Sequence, residues 1–228
     1  MIETAAGLVL RTRLLTETSL IVRWITPNLG RLATVAKGAR RPKSPFRGKL
    51  DLFYLADFSF SRSARSELHT LREVSLRETH TALREDLGLL QQAAYCAALV
   101  EQATETETPL PHVFDLMIGL LAHLATHPRP SPTICSFELK LLTELGLKPD
   151  LDKSTLSPGT KQLVRALAES DWPVVARLRP SAGQSAELGR FLQGLLTYHF
   201  DRIPKGRDTL LSLPAEQPRE ERLMTQAR

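Results

Sequence analysis

Between Arg31 and Lys49 the chain places seven basic residues and no acidic one: Arg31, Lys37, Arg40, Arg41, Lys43, Arg47 and Lys49. Cations at this density gain free energy by displacing counterions from a polyanion, which is the chemistry of phosphate-backbone binding. Gly38, Pro42, Pro45 and Gly48 interrupt the second half of the stretch, so no regular helix is expected to run through it. On charge alone a second reading stands beside the first: a solvated loop joining two strands. Arg11 and Arg13, near the N-terminus, add two more cations on what reads as the first strand.

Other chemistry finds little support. No Gly-rich phosphate loop of the Walker type and no GxSxG motif is present. Cys96 and Cys135 are isolated and 39 residues apart, whereas a zinc knuckle needs close pairs of Cys or His ligands. His123 and His127 have the i, i+4 spacing of metal ligands but lack a third ligand, so ordinary histidines are the expectation. The pair Glu85 and Asp86 belongs to no acid–base constellation. Leu116, Met117, Leu120, Leu121 and Leu124 form an apolar stripe of the kind that packs a core. No catalytic residue, metal or cofactor is assigned, and the expectation is a protein that is not an enzyme.

The elements that must position these residues change character near residue 80. Ala6, Leu8, Leu10 and Thr12 alternate with Gly7, Val9, Arg11 and Arg13, the period of a half-buried strand. Residues 19–26 are rich in β-formers and end at the turn signal Pro27-Asn28-Leu29-Gly30. Residues 31–37, 50–61 and 68–76 supply three more strands. Five short strands with turns between them suit a small closed barrel of the OB-fold type, an architecture whose face and loops commonly bind oligonucleotides. Helical periodicity follows, over residues 83–101, 113–127, 134–145, 160–169 and 185–199. Ser131 or Thr133 is placed to cap the third of these. The fold class expected is α+β and multidomain: an N-terminal five-stranded OB-fold β-barrel over residues 1–79, an all-α C-terminal domain over residues 80–213, and a flexible tail over residues 214–228.

The charge distribution agrees with that division. Residues 1–80 carry 14 Lys and Arg against 7 Asp and Glu, and the remaining residues carry 16 against 18. A polyanionic partner is therefore expected for the N-terminal part and a different task for the rest. The two unpaired cysteines fit a reducing compartment, and no signal peptide or membrane-spanning stretch is visible. A cytoplasmic, nucleoid-associated protein, monomeric when alone, is the expectation.

The residues that carry a family likeness are Leu10-Arg11-Thr12-Arg13, Glu17-Thr18-Ser19-Leu20, Ile25-Thr26, Gly30-Arg31 and Val35-Ala36-Lys37-Gly38-Ala39-Arg40-Arg41. They continue in Phe137-Glu138-Leu139-Lys140-Leu141-Leu142, Leu145-Gly146 and Pro149. In this order and spacing the sequence resembles the bacterial RecO family of recombination mediators. The resemblance implies an OB-fold that binds single- and double-stranded DNA, followed by a helical domain. It implies annealing of complementary strands and, with RecR, help in loading RecA onto strands coated by single-stranded-DNA-binding protein (SSB). It also implies that the helical domain receives the acidic C-terminal tail of SSB. Many members carry a four-cysteine zinc site after the Leu-Gly-x-x-Pro segment. Residues 145–163 here contain no cysteine, so zinc is expected to be absent.

An acidic tail ending in an apolar residue needs basic side chains beside an apolar pocket. Lys140 beside Phe137 and Leu141, with Arg129 and Lys148 nearby, is the candidate receptor. The alternative is that Phe137 and Leu141 belong to the core and Lys140 is solvated. Trp24, Phe53 and Tyr54 are candidate base-stacking residues or, more simply, core aromatics. Two other functions compete with DNA annealing: an adaptor bridging SSB and RecR with weak DNA binding of its own, and a DNA-processing enzyme.

Overall fold

The computed structural model of the protein describes residues 1–126 and 130–212. Strands β1 (Ile2–Leu14), β2 (Leu20–Thr26), β3 (Gly30–Ala36), β4 (Leu55–Ser61) and β5 (Leu68–Glu78) close into a barrel in the order β1-β2-β3-β5-β4. β1 is long enough to pair antiparallel with β2 through one half and with β4 through the other. β3 and β5 close the barrel through a short parallel pairing. This is the expected five-stranded OB-fold barrel, followed by helices. Inside it, Val9, Val22, Trp24, Leu32, Phe58 and Phe60 are buried from alternating positions. Trp24 stacks on Phe58 at 4.2 Å and donates its indole N–H to Thr34 Oγ1 at 2.9 Å. The buried indole thus keeps a polar partner.

Strand β4 starts at Leu55, five residues later than its sequence pattern suggests. Asp51 Oδ1 accepts from Leu52 N at 2.8 Å, and Phe53 takes a positive φ of 62°. These make a turn of residues that alternate like a strand. Phe53 and Tyr54 still bond Val9 of β1, at 2.8 and 2.9 Å.

A second apolar face of the barrel is covered by the helices. Leu8, Leu10, Ile25 and Phe53 join Leu83, Leu89, Met117 and Leu121 in a continuous core. A 3-10 turn (Thr81–Arg84) leads into α1 (Leu87–Ala103), capped by Asp86, whose side chain accepts from Gly88 N and Leu89 N. Then follow α2 (Pro111–Thr126), α3 (Pro130–Glu144), α4 (Pro158–Glu169), α5 (Trp172–Val175), α6 (Ala182–Phe200) and α7 (Arg207–Ser212). α3 starts at Pro130, before both of the expected capping positions 131 and 133; Thr133 lies within the helix and bonds His123 Nε2 at 3.1 Å. His127 and residues 213–228, which include the expected tail, lie outside the described residues.

α3 is the central helix, with Ile134, Phe137, Leu141 and Leu142 fully buried. Glu138 is buried among them and is held by Arg207 from α7, at 2.6 and 2.8 Å, and by Tyr95 from α1, at 2.6 Å. Burial opposes the charge on Arg207, but the Glu138 carboxylate more than offsets it and raises the guanidinium above its ordinary value. No helix among the described residues is long and apolar enough to cross a membrane.

Candidate nucleic-acid interface

The residues between β3 and β4 fold as a chain of tight turns. Ala39 N bonds Ala36 O, Arg41 N bonds Gly38 O, Ser44 N bonds Arg41 O, Arg47 N bonds Ser44 O and Lys49 N bonds Phe46 O, all at 3.0–3.3 Å. Gly38 and Gly48 supply the positive φ values, 65° and 70°, that reverse the chain. Two apolar side chains interrupt the cations: Ala39 and Phe46 are buried in the barrel core with Val22, Trp24 and Leu71. The loop is therefore a stopper for the open end of the barrel, not a free tether. It is also stitched to the β1–β2 hairpin. Arg40 N bonds Thr18 O at 3.0 Å, Arg40 Nη1 donates to Glu17 O at 3.0 Å, and Gly38 N donates to Ser19 Oγ at 3.2 Å.

With the apolar side chains turned inward, Lys37, Arg40, Arg41, Lys43 and Arg47 are left exposed. Arg13 is exposed on β1, and half-buried Lys49 donates to Val74 O at 3.1 Å. Among the described residues none of these seven has a carboxylate oxygen within 4.0 Å. The contacts they do make, Arg40 to Glu17 O and Arg47 to Pro42 O at 3.3 Å, are with neutral carbonyls. Such acceptors orient a guanidinium without cancelling its charge.

Two of the nine expected DNA contacts are placed elsewhere. The β1–β2 register shifts between Val9 and Arg11, a bulge that period-two counting cannot see. Arg11 pairs with Arg23 across the strands, and both reach Glu101 of α1, at 3.0 and 3.5 Å. Arg31 donates from Nε to Thr104 Oγ1 at 2.7 Å and from Nη2 to the Thr104 carbonyl. Burial, the leading cause, lowers the Arg31 guanidinium below its ordinary value. Three strands thus aim arginines at the carboxyl end of α1, where unsatisfied carbonyls and the helix dipole favour positive charge. The chain after α1 continues this seam: Glu107 N bonds Arg31 O at 2.9 Å, and a Cβ on Gly30 (φ 67°) would lie 2.1 Å from Thr108 O. Arg11 and Arg31 are therefore seam residues. Arg23, which sequence reasoning did not single out, is the third.

The stacking candidates are also resolved. Trp24 and Phe53 are buried core residues. Tyr54 is half-buried under the Arg84 guanidinium, 4.7 Å from its ring centre.

The expected partner pocket on α3 is not formed. Phe137 and Leu141 are fully buried in the helical core. Lys140 donates to the carbonyls of Ala168 and Ser170, at 3.2 and 2.7 Å, and so closes the end of α4. Burial lowers the Lys140 ammonium below its ordinary value. Lys148 pairs with Glu169 at 2.9 Å, and Arg129 lies outside the described residues. The alternative reading, that Phe137 and Leu141 are core, holds for those two residues, while Lys140 is a helix-end ligand and not a solvated side chain. The helical part does open a cavity of about 680 Å³ between α1 and α7. Ala94, Ala98 and Leu210 give it an apolar lining, Lys205 contributes positive charge, and Arg11 at its wall is already paired with Glu101, which also lines it. Cys96 and Cys135 are buried and unpaired, and burial raises both thiols, which keeps them protonated and inert.

Comparison with known proteins follows the same division. The family model described as recombination protein O N terminal matches residues 1–80, and the one described as recombination protein O C terminal matches residues 84–157. A DNA repair protein RecO of Bacillus pumilus is 32% identical over 153 residues, covering 67% of this chain and 59% of that protein. Its namesake from Exiguobacterium sibiricum is 33% identical over 158 residues, 68% of this chain and 62% of the relative. A third, from Bacillus subtilis, is 32% identical over 152 residues, with 67% and 59% covered. The matched region spans about three fifths of the length of these relatives. With both family models matched in order across well over half of its length, the chain belongs to the RecO family.

Proposed function

We propose that the protein is a non-enzymatic mediator of DNA repair and recombination that holds DNA by its phosphates on the loop closing the barrel. The observation that carries this is the set of exposed cations on a pinned scaffold with no carboxylate beside them. Arg40, Arg41, Lys43 and Arg47, with Lys37 and Arg13 beside them and Lys49 at the loop's end, form the contact surface. Phosphate contacts of this kind are indifferent to sequence and serve single and double strands alike. Screening the repulsion between two strands on one such surface promotes their annealing. With RecR, the same protein would help load RecA onto SSB-coated single strands.

Salt dependence tests the reading. Neutralising about five phosphates gives a log–log slope near −3.5 for single strands. Binding that ignores salt between about 50 and 200 mM sinks it.

The adaptor function has one observation in its favour, the cavity between α1 and α7. Its apolar lining and the basic Lys205 suit an acidic tail with an apolar end better than the packed α3 face does. Charge reversal at Lys205 that leaves binding of an SSB-tail peptide intact would exclude this cavity.

A further inference from the structure

A second depression, of about 410 Å³, lies inside the DNA-facing surface. Its floor is apolar: Leu20 from β2, Ala39 and Phe46 from the stopper loop, and Leu50 beyond it. Three exposed arginines, Arg40, Arg41 and Arg47, also line it. We propose that this depression receives one unpaired base of a single strand while these arginines hold the flanking phosphates. The inference rests on the DNA-binding reading above and adds to it a preference for single strands.

Charge and shape select the occupant. Three cations without carboxylate partners among the described residues ask for an anion with more than one charge, spread around a centre. An apolar floor asks for a flat or apolar group at that centre. A nucleotide within a strand supplies both, a base between two phosphates. The volume lies within the range of about 300–1,000 Å³ typical of small-ligand sites, ample for one base. The floor is held in place because Ala39 and Phe46 are anchored in the barrel core, so the site exists before DNA arrives. A duplex would have to unstack and unpair a base to use it, whereas a single strand need not.

The test compares oligothymidylate with an abasic oligonucleotide of the same length and charge, titrated into the full chain at several salt concentrations. The base-bearing strand should bind about tenfold tighter, as expected for one sequestered base, and that ratio should persist as salt rises. Leu50→Gln, which makes a half-buried part of the apolar lining polar without changing the charge, should reduce the ratio towards one while the salt slope stays unchanged. Phe46→Leu, which keeps the stopper apolar, should reduce it in part. Equal affinity for the two strands in the unmutated protein, with a normal salt slope, overturns the base pocket and leaves phosphate binding standing. Loss of salt dependence overturns the DNA reading itself. An acidic peptide ending in phenylalanine that binds the protein, and loses affinity on Leu50→Gln while the oligonucleotide ratio does not move, assigns the depression to a protein partner and overturns the proposal.

Discussion

The loop that stoppers the barrel and the seam that joins the barrel to α1 are both rich in arginine, and they use it in opposite ways. In the seam, Arg11, Arg23 and Arg31 meet Glu101, the Thr104 hydroxyl and the Thr104 carbonyl. In the loop, Arg40 and Arg47 meet neutral carbonyls, and among the described residues no carboxylate pairs with Arg40, Arg41, Lys43 or Arg47. Cations with intramolecular acceptors contribute to stability, and cations without them remain available to an anionic partner. The contrast teaches that a basic residue in a cation-rich domain is to be judged by what already satisfies it. Chain position alone would have grouped Arg31 with Arg40.

The sharpest division between the two roles is expected at Arg207, the most deeply paired cation of the described residues. Arg207→Ala strands the buried Glu138 carboxylate and should cost about 3–5 kcal/mol in chemical denaturation. The fraction that remains folded should bind DNA as before. Reversing Arg40, Arg41 and Lys43 to Glu should do the converse. Affinity should fall about a hundredfold for every DNA sequence alike, and the single-strand salt slope should flatten by about 2, with unfolding little changed. A loss confined to particular sequences would argue against backbone contact. Arg31→Ala sits between these extremes. It leaves the Thr104 carbonyl without its donor and should cost about 1–3 kcal/mol of stability, with DNA affinity essentially intact. If it instead weakened DNA binding as much as Arg40→Ala does, the distinction between seam and loop would fail.

The smallest expected effect is a pH dependence where the start of β1 is tied to the residue that follows its neighbour β4. Arg62 hydrogen-bonds the Glu3 carboxylate at 2.6 Å and holds it below the usual carboxylate range. A carboxylate depressed on folding stabilises above its unfolded value, near pH 4.3, and loses that contribution as pH falls through the lower folded value. The stability difference between the natural chain and Glu3→Gln should therefore be full at neutral pH and shrink below about pH 4. Urea unfolding at a series of pH values reads it directly.

Much of this architecture is legible in the chain. The strands announce themselves by alternation and by Gly and Pro at their ends, and the longer helices by their leucine spacing, whereas the short α5 and α7 carry too few apolar positions to show a period. The basic loop stands out by charge. What escaped has identifiable physical causes. A bulge adds one residue to β1 without altering composition, so nothing in the pattern tells which side of the sheet Arg11 faces. Helix α3 is buried nearly all round, so Phe137 and Leu141 look no different from residues lining a groove. The acceptors of Lys140 come from the far end of α4, some 28–30 residues away in sequence. The stopper could have been suspected, because Ala39 and Phe46 are the apolar side chains in an otherwise cationic and turn-forming run.

The stitching of the stopper to the β1–β2 hairpin has a consequence for how freely that hairpin can vary. Thr18 gives the loop a main-chain oxygen, and Glu17 does the same for the Arg40 side chain. Both positions should tolerate almost any residue that keeps the turn. The Ser19 hydroxyl oxygen accepts the Gly38 N–H, so its identity matters in a way that its neighbours' does not. The hairpin tip can therefore be relabelled or tagged at positions 17 and 18 without touching the surface next to it, whereas a change at position 19 would loosen the stopper from a distance.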